Sequence, residues 1–156
     1  MNESERLARE LDKAINGEAW YGPSWRDLLG GVTCEEALER PLPGAHTIAE
    51  IMLHTATWLD VVRRRLSGET PEVSDAEDWP EADLPSEAAW LAQVERLFAN
   101  GAALRETVAR FPEERLHTKR ANEDDTWHAL VSGETQHVLY HAGQVGLLKK
   151  IAKAAA

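Results

Sequence analysis

Residues 130–151, LVSGETQHVLYHAGQVGLLKKI, decide how this chain is read. Leu130, Glu134, His137, His141, Gln144, Leu148 and Ile151 recur at spacings of 4, 3, 4, 3, 4 and 3, the period that lays one seam along an α-helix facing a core. Such a seam ordinarily holds Leu or Ile, yet Glu134, His137, His141 and Gln144 follow one another on it. Burying polar side chains without partners costs roughly 1–3 kcal/mol each. The middle of this helix therefore calls for a hydrogen-bonded network, a metal ion or a water-filled pocket.

Helical residues four apart lie one above the other, about 6 Å between Cβ atoms, so the imidazoles of His137 and His141 can converge on one ion. The segment His137-Val138-Leu139-Tyr140-His141 lacks the Glu that follows the first His in zinc proteases, and that mechanism is not expected. Two core histidines with hydrogen-bond partners would show the same spacing, and the pair alone does not choose. A third histidine shifts the balance. In the stretch from Thr47 to Leu66, the residues Ile48, Ile51, Met52, Thr55, Trp58, Leu59, Val62 and Leu66 trace a second buried helical face, and His54 lies at its edge. A partner helix could bring His54 opposite His137 and His141. Three neutral imidazoles form the open pattern of a catalytic metal site, with a position left for water or substrate.

The rest of the pattern is also helical. Leu7, Leu11, Ala14 and Ile15 give one apolar face to a helix over about 4–16, stopped at Asn16-Gly17. Ser86 caps a third long helix running through Trp90, Val94, Leu97, Leu104 and Val108 to about Arg110, and the fourth covers about 126–152. Thr33-Cys34-Glu35-Glu36 and Thr47-Ile48-Ala49-Glu50 both fit capping boxes, and Pro23-Ser24-Trp25 restarts a short helix through Leu29. Residues 68–85, acidic and proline-containing, form a link longer than the roughly two to eight residues that join antiparallel neighbours, which permits a crossover. No alternating strand pattern and no internal repeat appears. The expected fold is an all-α four-helix bundle, one domain over 1–156.

Composition limits the function. Lys and Arg number 17 against 27 Asp and Glu, a net charge of −10, which argues against nucleic acid as a partner because phosphate binding needs a concentrated basic surface. Arg63-Arg64-Arg65 point in different directions on a helix and make no stripe. No apolar run suggests a membrane span. The start, MNESERLARELDK, has no signal-peptide core, and Cys34 is the sole cysteine, so a cytoplasmic location is expected. Six of the ten aromatic residues are Trp, and several of them should wall a core or a pocket.

The stretches Pro41-Leu42-Pro43-Gly44-Ala45-His46-Thr47-Ile48-Ala49-Glu50, His54, Trp58 and Gly133-Glu134-Thr135-Gln136-His137 through Tyr140-His141-Ala142-Gly143-Gln144-Val145 resemble the DinB-like (DNA-damage-inducible) superfamily of metal-dependent proteins. Ala19 to Ser24 and Gly31 to Ala37 are similar to one branch of it, although this chain has Tyr21 where that branch often has His. The resemblance spans about 18–150. It implies an up-down-down-up arrangement with the long link between helices two and three. It implies a nickel or zinc ion on His54, His137 and His141, and a homodimer. Related branches include thiol-dependent S-transferases and a mycothiol-dependent isomerase. The expected partner is accordingly a small-molecule substrate, with a low-molecular-weight thiol as co-substrate. A metal-dependent hydrolase, a non-catalytic metal-binding bundle and a purely structural bundle stay open beside the transferase.

Glu134, three residues before His137 on the same face, is the candidate general base or orienting carboxylate. Glu50 has its capping box to explain it. Gln144 could bond a metal-bound water or pair across helices. His46 reads first as a loop histidine at a helix entry and second as a group at the pocket mouth. Trp58 reads as core, Tyr140 as pocket lining, Cys34 as a small core residue, and His117 and His128 as solvated.

Overall fold

The computed structural model describes residues 1–155, and all of its regular elements are helices. In chain order they are α1 (Glu3–Asn16), α2 (Trp25–Leu29), α3 (Cys34–Leu38), α4 (Ile48–Leu66), α5 (Asp75–Asp78), α6 (Glu87–Ala109), α7 (Glu113–Leu116) and α8 (Trp127–Ala155). No helix among the described residues is long and apolar enough to cross a membrane.

Local chemistry sets most of the starts. Thr33 with Glu36 and Thr47 with Glu50 close the expected capping boxes on α3 and α4. Asn2 with Glu5, Ser24 with Asp27 and Ser74 with Glu77 do the same for α1, α2 and α5. Each satisfies backbone N–H groups that the first helical turn leaves without partners. The single turns α5 and α7 lie in segments expected to be irregular, and α8 runs three residues past the expected end. One-turn helices carry too little periodicity to read from a pattern.

The four long helices form the body. Both α1 and α4 pack against α6 and α8. Leu11, Met52, Leu59, Leu97, Leu104, Val131 and Val138 meet in the core with almost no exposure. Gly101 lets α6 approach α1: a Cβ there would stand 2.7 Å from Ile15 Cδ1. The short helices fasten the ends. The buried Trp25 donates its indole N–H to the carbonyl of Val138 on α8 (3.0 Å), and the buried Trp90 on α6 donates to the carbonyl of Val32 (2.8 Å). Cys34 is buried as expected, its backbone N–H held by Glu87 at 2.7 Å. Trp20, by contrast, is fully exposed.

The seam of α8 differs from the sequence reading by part of a turn. The buried residues are Val131, Glu134, Val138, His141, Ala142, Val145 and Leu148. The traced seam shares Glu134, His141 and Leu148 with this face, but Leu130, His137 and Gln144 sit beside it, partly exposed. At 3.6 residues per turn, two seams one residue apart share alternate positions. Burial resolves the ambiguity in favour of the valines, which need no partners. Of the four polar residues, Glu134 and His141 are buried with the valines, and His137 and Gln144 lie where the core meets the surface.

Candidate metal centre

His54 comes from the middle of α4, His137 and His141 from successive turns of α8. One ring nitrogen from each lies within 4.8 Å of the others, close to the span of about 4 Å that two metal–nitrogen bonds cover. His54 and His141 are buried and His137 is partly exposed.

The ring orientations follow from hydrogen bonds. His54 Nδ1 lies 2.6 Å from the carbonyl oxygen of Asp78. A carbonyl only accepts, so Nδ1 carries the proton and Nε2 presents a lone pair. His141 Nδ1 lies 2.6 Å from Gln144 Oε1, which fixes the same tautomer there. Gln144 therefore serves its own helix neighbour rather than a partner helix or a water.

His137 is left with a conflict. Its Nε2 stands 2.9 Å from His54 Nε2. If His137 Nε2 holds the proton, its Nδ1 is a buried lone pair facing Glu134, an anion when ionised. If Nδ1 holds the proton instead, two lone pairs confront each other at 2.9 Å. Among the described residues, His137 Nδ1 and Glu134 Oε1 are the two buried side-chain atoms without a hydrogen-bond partner, and Glu134 Oε2 is 3.5 Å from that same Nδ1. A cation beside the three Nε2 atoms resolves the second arrangement. The lone pairs become ligands, and the Nδ1 proton turns towards Glu134. The donor set thus fits a divalent ion, with Asp78, Gln144 and Glu134 each behind one histidine, the outer support that ligating histidines use.

The link between α4 and α6 supplies part of the site, which the sequence reading missed. Besides its carbonyl, Asp78 accepts the Trp58 indole N–H on Oδ1 at 2.6 Å. Trp79 stacks flat on His54 at 3.9 Å and on His46 at 3.7 Å, an indole between two imidazoles. His46 in turn lies 3.2 Å from Glu50, which caps α4 and pairs with Arg40. His46 is thus both an entry residue and part of the cover over the triad. Asp78-Trp79-Pro80 is a short motif in an acidic link, and the aromatic residue was the only signal that could have marked it.

Trp58 is partly exposed and lines a cleft of about 460 Å³ together with His54, His137, Glu134, Arg65 and Arg120. Tyr140 is largely exposed, its ring edge-on to His141 at 5.0 Å. His117 and His128 stack on each other, and His128 sits 3.3 Å from Glu3.

Burial sets the protonation states. It pulls the His54 imidazole below its usual range, against the opposing pull of the Asp78 carbonyl. It pulls His141 down to about 4, against its bond to Gln144. Both are neutral, ligand-competent rings at pH 7. Burial pushes the Glu134 carboxyl up, with His137 opposing. One consequence is testable in metal-free protein. Unfolded, His141 takes up a proton near its ordinary 6.5; folded, it does so only near 4. Between those values the unfolded chain holds more protons, so the melting temperature is expected to fall as the pH drops through that window. Glu134 works in the opposite sense, since its raised carboxyl favours the folded state at low pH. His141→Gln separates the two and should flatten the decline in a melting series across the window.

No curated protein and no solved structure matches the chain. A sequence model of the DinB superfamily matches residues 23–145, more than half of the chain and inclusive of all three histidines, and the chain therefore belongs to the DinB superfamily.

Proposed function

We propose that this protein is a metal-dependent enzyme that joins a low-molecular-weight thiol to a small electrophile, with one nickel or zinc ion held by His54, His137 and His141. The observation that carries the reading is the convergence of three imidazoles, two with assigned lone pairs, beside a cleft of ligand size. An ion bound there supplies Lewis acidity that lowers the pKa of a thiol or a water molecule.

The chain's own residues do the rest. Asp78 and Gln144 hold two imidazoles in the ligating tautomer. Glu134, its Oε1 without a partner and its carboxyl raised by burial, accepts the thiol proton as general base. Trp58 and Trp79 shield the triad from bulk water. The same reading takes the four long helices as up-down-down-up, with the 67–86 link long enough to cross the bundle. It takes the protein as a cytoplasmic homodimer, supported by the exposed Tyr140 and Leu147 on the outer face of α8.

The test starts with untagged protein. Mass spectrometry should find about one ion per chain, and sedimentation twice the chain's 17.4 kDa. Protein reloaded with nickel or zinc should consume a thiol together with a fluorogenic haloalkane. Glu134→Gln should slow that reaction by about 10²–10⁴-fold. Ester cleavage without thiol would assign hydrolysis instead. No ion after incubation with nickel and zinc would overturn the enzyme reading.

A further inference from the structure

Three consecutive arginines end α4, and the structure treats them differently. Arg63 pairs with Asp60 at 2.7 Å, and Arg64 pairs with Glu69 at 2.7 Å. Arg65 has no ion pair and no side-chain hydrogen bond among the described residues. Its guanidinium lies 5.5 Å over the Trp58 ring, half-buried on the wall of the cleft that holds His54, His137 and Glu134. Position at the end of a helix accounts for a basic residue here, because the helix dipole favours a cation in the last turn. It does not account for a guanidinium turned towards the cleft with a ring face but no ion pair or hydrogen bond, in a chain with ten more acidic than basic side chains.

Of the other charges of the cleft, Arg120, Asp125 and Asp78 are matched, and Glu134 keeps Oε1 without a hydrogen-bond partner. Arg120, nearly buried, binds Asp125 through Nε and Nη2, both at 2.7 Å. Asp78 accepts from Trp58 and stands 3.1 Å from His54 Nδ1. Glu134 lies behind His137. Arg65 remains as a directional double donor with open valences, and apolar surface from Val62 and Leu130 lies beside it. A guanidinium fork matches a carboxylate with two parallel hydrogen bonds. The surrounding Asp78, Asp125 and Glu134 oppose a more highly charged group such as a phosphate.

We propose that Arg65 is the substrate-recognition residue of this cleft, and that one of the reacting molecules is a monocarboxylate with a short apolar body, its carboxylate on Arg65 and its reactive end towards the histidines. This rests on the reading of the cleft as the substrate site. It adds to that reading the chemical class of the ligand and the residue that selects it. Arg65 binds and orients; it takes no part in bond making.

The test compares butyrate with its neutral isostere butyramide on the full-length chain, metal-free and zinc-loaded, following the Arg65 Nε–H and Trp58 Nε1–H resonances by NMR. Butyrate should bind at least about tenfold more tightly than butyramide in both forms, the margin a charge-assisted double hydrogen bond gives. Arg65→Met keeps the stem and removes the charge, so the two probes should then bind alike. Arg65→Lys should keep part of the difference. Equal binding to the parent protein, or a preference that survives in Arg65→Met, overturns the proposal. So does a preference seen only with zinc, which would place the carboxylate on the ion. The metal-free arm stands even if the chain binds no ion, and the ion content of Arg65→Met, expected to be unchanged, reports on the triad independently.

Discussion

Ion affinity is expected to fall by more than about 100-fold when His137 is replaced by alanine, since losing only the outer partner of a ligating histidine costs about 10–100-fold. His137 is the cleanest of the three to remove. It is partly exposed, and its polar contacts are the 2.9 Å approach to His54 Nε2 and the 3.5 Å one to Glu134 Oε2. Removing it ends the mismatch at Nδ1 and leaves no protein hydrogen-bond donor without its acceptor. His137→Ala should therefore fold and melt close to the parent in the absence of metal while losing its ion. His54→Ala should lose the ion too, but it also strips the Asp78 carbonyl of its donor and Trp79 of one stacking partner. A lower melting temperature is expected there even without metal. The measurement is ion content by mass spectrometry beside a competition titration with a chelator. A full equivalent retained by His137→Ala would dismiss the triad.

Trp90→Ala should be the most damaging substitution away from the site, lowering the unfolding free energy by about 3–5 kcal/mol. Trp90 has no exposed surface, so truncation opens a cavity where α6 meets the segment before α3. It also deprives the buried Val32 carbonyl of the indole N–H at 2.8 Å. Against a total of about 5–15 kcal/mol for a domain, the loss is a large part of the stability. Trp90→Phe divides the effect. It keeps most of the apolar volume, removes the hydrogen bond, and should cost about 1–3 kcal/mol. Urea unfolding at constant m-value reads both. Equal losses in the two variants would show that the hydrogen bond, not the packing, carries the effect.

How far the sequence reaches can be judged from particular residues. Helices α1, α4, α6 and α8 were legible because their apolar residues recur with the helical period over many turns, and the capping box at Thr47 and the Ser86 cap mark the starts of α4 and α6. His54, His137 and His141 were legible as a group because polar residues on or beside a core-facing stripe need a reason. The exact seam of α8 was not, since two stripes one residue apart share Glu134, His141 and Leu148, and only packing selects Val131, Val138 and Val145. Asp78 and Trp79 were out of reach for another reason. They act through a backbone carbonyl and a ring face, from a segment with no periodicity, on a histidine more than twenty residues away in the chain. Arg65 looked like one of three equivalent cations, and only the positions of Asp60 and Glu69 show that its neighbours are matched and it is not.

The closeness of His54 to His137, 83 residues apart in the chain, bears on how the molecule's stability could be controlled. With Cys34 as its sole cysteine, the chain cannot form an internal covalent staple. An ion shared between α4 and α8 would be a reversible one, closing a long loop that the unfolded chain leaves open. Its strength would vary with supply: an ion at 100 times its dissociation constant adds about 2.7 kcal/mol to the folded state. Starved of metal, the same chain would be easier to unfold and to degrade, so that its abundance would follow the availability of the ion it uses.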